Sequence, residues 1–272
     1  MRLVCLLLAA SLGAAPFRGS VVSVDREAGA LRLRPDSGAE VVAAAGQGDL
    51  EIGWAGRPVR GELVESSGRF RLERIFPEDP AVLSEMTAAA AALRRDTVER
   101  GRLVARAEGD YAPAFVLWGQ DGAPVRTADL RGAPYVLNFI FTRCKAAEMC
   151  PASTASMAGL GKALRAEGLA GKVRLVTLSF DPGHDSPGVL RAYAAASGLD
   201  PEHHRLLTGD REMVRDLMRQ FGILVLEQDG TLVHNAATVV VSADGRIVSR
   251  RPGARFDPAE LLPLLRRLAA PR

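Results

Sequence analysis

The stretch from Tyr135 to Ser153, YVLNFIFTRCKAAEMCPAS, constrains this chain more than any other. Tyr135 to Phe141 is a mostly apolar run, with β-branched and aromatic residues and of strand length, which reads as a buried strand. Two cysteines follow it, Cys144 and Cys150, the second directly before Pro151. Proline suits the first turn of a helix, so the spacing predicts Cys150 at the N-cap of a helix running through Met157 and Leu160. A buried strand thus delivers two sulfurs to a helix N-terminus, where the macrodipole and free N–H groups are expected to favour thiolate over thiol.

The N-terminus, MRLVCLLLAASLGAAPFRG, carries one Arg, an apolar run and then small residues. It reads as a secretory signal over residues 1–15, cut near Ala14 or Ala15, its apolar run being shorter than the roughly 20 residues of a spanning helix. Cleavage would remove Cys5 and leave Cys144 and Cys150 as the only cysteines of an exported, disulfide-permissive chain. A structural disulfide is the plain alternative, but so short a loop gains little from closure. A net charge of +3 without a basic stripe of interleaved aromatics argues against a nucleic-acid partner, and no later segment is apolar enough to span a membrane.

The chain before the cysteines has a different texture. Short β-rich runs, Ser20–Val24, Leu31–Leu33, Glu40–Ala43, Arg60–Glu65 and Arg69–Ile75, alternate with Gly- and Ser-containing turns. They predict a small all-β, OB-like domain over 16–80, without Met, His or Cys for soft metals. An Ala- and Arg-rich segment, 81–108, reads as a linker helix weakened at Gly101. From Gly109 to 272 a hairpin is followed by strand, helix, strand, helix and a closing hairpin with a terminal helix, which predicts an α/β domain of thioredoxin type.

Four motifs in order, FTRC…CP, SFDPGHDSPGVLRAYA, HRLLTGD…FGI and HNAATVVVSADGRIV, resemble the SCO/SenC family of copper-handling thioredoxin-fold proteins over about 109–268. The resemblance implies copper delivery to the CuA centre of cytochrome c oxidase, or to another cuproprotein, together with a thiol reductant. It implies Cys144 and Cys150 as thiolate ligands and His234, eleven residues before Gly245, as the imidazole ligand. Asp181 resembles the acidic residue of the family's DP turn, in a supporting role. The chain departs from the pattern in having five residues between the cysteines where three are usual. Lys145 stands where proline is usual, and Asn235 follows His234 where serine is common.

Two thiolates and a neutral imidazole suit Cu(I) or Cu(II), and they bind only when the pair is reduced. The alternative is an exported thiol–disulfide oxidoreductase using Cys144 and Cys150 as a redox pair. Against it, no CxxC is present, and Ala237 occupies the place before TVVV where thioredoxins resemble one another in carrying a cis-proline. A scaffold without chemistry would leave the Cys–Cys–His trio unused. The other histidines, His184 in a Pro-Gly-His-Asp turn and the adjacent His203 and His204, read as solvated residues. Met157 reads as core, Met149 as a weak outer thioether at most, and Glu227 to Ala236 as a mobile loop.

Overall fold

The computed structural model describes residues 14–228 and 231–270, so the leader expected over residues 1–15 lies almost wholly outside the described residues. The chain opens with β1 (Ala14–Asp25), β2 (Ala30–Pro35), β3 (Val41–Ala44), a short helix α1 (Gln47–Glu51), β4 (Pro58–Ser66) and β5 (Arg69–Pro77). These strands close into a barrel in the order β1-β2-β3-β5-β4, which leaves no free sheet edge. All pairs are antiparallel except β3 with β5, so the OB-like expectation holds. The two-residue period explains the closure: in β2, Leu31 and Leu33 point into the barrel while Arg32 and Arg34 face water. Val21, Trp54, Leu72 and Ile75 complete that core.

Helix α2 (Pro80–Arg100) leaves the barrel with Pro80 in its first turn. The Asp79 carboxylate accepts from the N–H groups of Ala81 at 2.9 Å and Val82 at 3.2 Å. It stops at Gly101, whose φ of +55° suits a residue without a Cβ. Met86 of this helix packs with Phe76 of the barrel and with Val116 and Trp118 of the next strand, tying the two halves together.

The second half contains β6 (Val116–Gly119), β7 (Pro124–Arg126), β8 (Tyr135–Ile140), α3 (Cys150–Ala166), β9 (Arg174–Ser179) and α4 (Pro187–Ala196). It continues with β10 (His204–Thr208), α5 (Arg211–Gln220), β11 (Val225–Gln228), β12 (Thr231–His234), β13 (Ala237–Val241), β14 (Ile247–Pro252) and α6 (Pro258–Ala269). Seven of these strands form one sheet in the order β14-β13-β8-β9-β10-β6-β7. The central strands β8, β9 and β10 are parallel, and β13 runs antiparallel to β8. All six residues of β8 are buried, because helices cover both faces of the sheet. Leu137 and Phe139 join a core with α2 and α5, while Val136 packs against Met157 of α3 and Leu261 of α6. Met157 is therefore core, as its spacing suggests.

Two sequence expectations change here. His204 is not solvated: it is 1% exposed, and its Nε2 lies 2.7 Å from the hydroxyl of Thr177. Thr177 donates onward to Asn138, which donates to Ser153 of α3, so these buried polar side chains are satisfied in a chain. Burial drives the imidazole to about pKa 3, so it stays neutral. His203 and His184 remain partly and fully exposed. The segment expected to be a mobile loop is instead the hairpin β11–β12, with Val225 opposite His234 and Leu226 opposite Val233. Apolar pairs, Val225-Leu226 and Leu232-Val233, flank the sequence Asp229-Gly230, a strong hairpin signal.

The two halves interlock at α1 and α4. A Cβ at Gly48 would lie 1.9 Å from the carbonyl oxygen of Gly188, so both glycines are needed for this approach. Asp49, 5% exposed, sits over Gly188, and burial raises its carboxyl to about 7 against the opposing pull of Arg71.

Candidate metal centre

β8 ends at Ile140, and the chain turns through Thr142 and Arg143 to deliver Cys144 at the edge of the sheet. Two carboxylates hold that turn. Asp185, wholly buried, accepts from the Thr142 N–H at 3.0 Å and from the hydroxyls of Thr142 and Ser179. Asp181 takes Nη2 of Arg143 at 2.6 Å and Nε at 3.0 Å, consistent with a supporting place rather than a ligating one. Ser186 caps α4, and Asp185 faces back to the cysteine turn. Its signal in the sequence was the aspartate at the end of Asp181-Pro-Gly-His-Asp185, one residue before the serine.

Cys150 is the first residue of α3 rather than its N-cap, which is Met149, with Pro151 next inside the first turn. The Cys150 side chain is 1% exposed, and Cys144 is half-buried. The helix N-terminus was expected to favour thiolate here. Burial dominates instead and pushes the Cys150 thiol up, with the second sulfur adding to the effect. The five-residue loop between the cysteines is braced from outside, where Arg255 makes a two-pronged contact with Glu148 at 2.8 and 3.0 Å.

His234 closes β12 and comes back to the same rim. Strand β13 starts three residues later and runs antiparallel to β8, so the start of one strand and the end of the other meet at one edge. The Nε2 atom of His234 lies 3.4 Å from Sγ of Cys150. Its Nδ1 is 2.7 Å from the carbonyl oxygen of Asn235. A carbonyl only accepts, so Nδ1 carries the proton and Nε2 turns its lone pair to the sulfur. Burial lowers the imidazole's pKa, which keeps it neutral. The ring rests at 4.7 Å from Phe180 and 5.8 Å from Phe141, the latter edge-on.

Asn235, in the sequence only a departure from serine, fixes the hairpin. Its Oδ1 accepts from Leu224 N–H at 2.8 Å and its Nδ2 donates to the Gly222 carbonyl at 3.1 Å. Only an amide offers both a donor and an acceptor at that reach. Ala237 is buried at the start of β13, and no peptide among the described residues is cis.

The result is that one ligand atom each from Cys144, Cys150 and His234 lies within 4.8 Å of the others. Two soft sulfurs and one borderline nitrogen in a water-poor pocket suit a soft monovalent or tetragonal divalent transition metal. Such an ion would supply the positive charge that the buried thiolates lack. The sulfurs are also near enough for a small loop movement to join them in a disulfide. His184 is not among the ligand atoms that gather here.

Comparison with known proteins agrees with this geometry. Residues 104–270 match the SCO1/SenC family model. A SCO1 protein homolog of Bacillus subtilis (strain 168) is 31% identical over 148 residues, which are 53% of this chain and 75% of the relative. The structure of BsSco, described as a member of the Sco family of cytochrome c oxidase assembly proteins with a disulfide switch, aligns with a TM-score of 0.54 and 26% identity. That alignment covers 62% of this chain and 99% of BsSco. Copper-bound ScoI of Bradyrhizobium japonicum aligns with a TM-score of 0.50 and 27% identity, over 58% of this chain and 99% of its own. The matched region spans the rim, both cysteines and the histidine: this chain belongs to the SCO1/SenC family.

Proposed function

We propose that this protein is an exported copper chaperone. Cys144, Cys150 and His234 bind one copper ion, and the protein passes it to the CuA-bearing subunit of cytochrome c oxidase or to another cuproprotein. The convergence of the two sulfurs and the imidazole nitrogen within 4.8 Å carries this reading. It is supported by the copper held in the similar Bradyrhizobium protein and by the assembly role described for the family of BsSco. Copper is cargo in this scheme. Cys150 anchors it from the buried side, Cys144 and His234 lie toward solvent, and an acceptor ligand can replace the histidine first. The leader-like residues 1–15 support export to the periplasm, and no described helix is long and apolar enough to cross a membrane.

A second reading draws on the same sulfurs. Two thiols that lose two protons and two electrons close to a disulfide, and an external thiol reductant restores them before copper can bind. The disulfide switch described for BsSco favours this, so thiol–disulfide exchange is proposed as the step that gates loading.

Anaerobic titration of the reduced protein with Cu(I) against a competing chelator tests the copper reading. One copper per chain is expected, with loading abolished by Cys144→Ser or Cys150→Ser. A His234→Ala variant that holds copper as tightly as the parent would contradict it.

A further inference from the structure

Beside the ligand rim runs an open groove of about 1140 Å³ between the DP turn, α5 and the β11–β12 hairpin. We propose that this groove and the hairpin's outer face dock an extended acidic segment of the protein that receives the copper, apolar on the side facing the hairpin. The identity of that partner as the copper recipient rests on the copper reading; the chemistry of the surface does not.

The groove is continuous with the metal site. Its floor includes Phe141 and Phe180, the two rings that back the His234 imidazole. An occupant would therefore press on the side chains that place a ligand.

The hairpin is dressed for contact. Leu226 is 66% exposed and Val233 46%, and Leu224 at the hairpin's base is 69% exposed. Only four other large apolar residues among those described are so exposed, and they are scattered over the barrel, the linker and the edge of the second half. Clustered apolar exposure marks interaction sites, whereas single residues do not. Among the described residues β11 and β12 pair only with each other, so the hairpin has edges that an extended segment can join.

Charge selects the partner. The groove is lined by Arg143, Lys145, Arg211, Arg215 and Arg219, against Asp181 and Glu227. Asp181 is already taken by Arg143 at 2.6 Å. Arg215 has only the exposed Glu212 at 3.5 Å, and Arg219 shares Asp216, at 3.9 Å, with the nearer Arg94. No described carboxylate lies within ion-pair distance of Lys145 or Arg211. The surface is left with unbalanced positive charge, which steers and holds an acidic partner and repels a basic one.

A fluorescein-labelled peptide alternating Glu with Leu, and its Gln-for-Glu counterpart, test the surface by anisotropy with the full protein. The Glu peptide should bind about 10-fold or more tightly at low salt, and added salt should narrow the gap. Arg211→Glu with Arg215→Glu should remove the preference, and Leu226→Ser with Val233→Ser should weaken both peptides. Both double variants should still load one copper. Equal binding of the two peptides, or no response to the Arg211→Glu/Arg215→Glu change, would overturn the proposal. Stronger binding to phosphatidylglycerol vesicles than to the peptide, lost in the arginine variant, would overturn it in favour of a membrane surface. Self-association relieved by the hairpin variant would overturn it in favour of a second copy. Failure of the parent to load copper, with the peptide preference intact, would instead overturn the copper reading and leave the groove standing.

Discussion

Two groups of metal-ligating side chains lie with one ligand atom each within 4.8 Å: Cys144, Cys150 and His234 at the rim, and Asp200, Glu202 and His203 before β10. In the second group the Asp200 carboxylate is already engaged. Asp200 Oδ2 takes Nη1 of Arg165 at 2.6 Å and Nδ1 of His203 at 3.2 Å, and Oδ1 takes the Glu202 N–H at 3.0 Å. Arg165 supplies the cation that a metal would bring. Among the described residues no cation pairs with the sulfurs, and the lone pair of His234 Nε2 faces only the Cys150 thiol, whose proton a metal would displace. Closeness alone therefore does not make a site. Soft donors in a dehydrated pocket, with no cation of their own, do.

The widest gap between the two groups should appear on substitution. Cys144→Ser or Cys150→Ser is expected to abolish copper loading, and His234→Ala to weaken it by about 10- to 100-fold or more, the scale at which even supporting residues tune a metal site. Chelator competition measures this. Next in size is Asp185→Ala, which would strand the Thr142 N–H and the Thr142 and Ser179 hydroxyls. Each buried donor left unpaired costs roughly 1–3 kcal/mol. Denaturant unfolding should show a loss of a few kcal/mol, with copper affinity falling less than in the cysteine variants.

The third effect is on pH. Burial raises the Cys150 thiol and lowers His234, so across neutral pH the thiol is protonated and the imidazole is not. Copper must displace the thiol proton, so affinity should rise with pH, by about tenfold per unit from Cys150 alone, without a plateau near neutrality. Affinity that is flat between pH 6 and 8 would show that the rim is less dehydrated than its geometry implies. Smallest is the control: Asp200→Asn and His203→Ala should leave copper stoichiometry unchanged and alter stability by about 1 kcal/mol or less, since the Arg165 pair is partly exposed to solvent.

Much of this was readable in the sequence, for a physical reason. β8 shows as an apolar run because both its faces are covered, and the barrel shows through its two-residue alternation. The convergence of His234 on the cysteines follows from strand direction alone, given the fold that the motifs imply. Cys150 was legible as a residue but not as an environment. A helix N-terminus is visible in the order Cys150-Pro151, whereas the burial that outweighs it depends on the core cluster that includes Phe141 and Phe180 and on His234 of the hairpin. The roles of Asp185 and Asn235 were hidden for the same reason, since their partners lie 43 and 13 residues away in the chain. His204 looked like half of a solvated pair, although its position in a parallel strand turns it to Thr177. The hairpin could have been found from Asp229-Gly230 between apolar pairs.

X-ray absorption at the copper edge of the Cu(I)-loaded, reduced protein tests the central claim most directly. The account predicts one nitrogen and two sulfur neighbours at about 2.0–2.3 Å, the range of zinc sites with the same donors, and loss of the nitrogen shell in His234→Ala. A spectrum without two sulfurs, or a nitrogen shell that survives in His234→Ala, would contradict it.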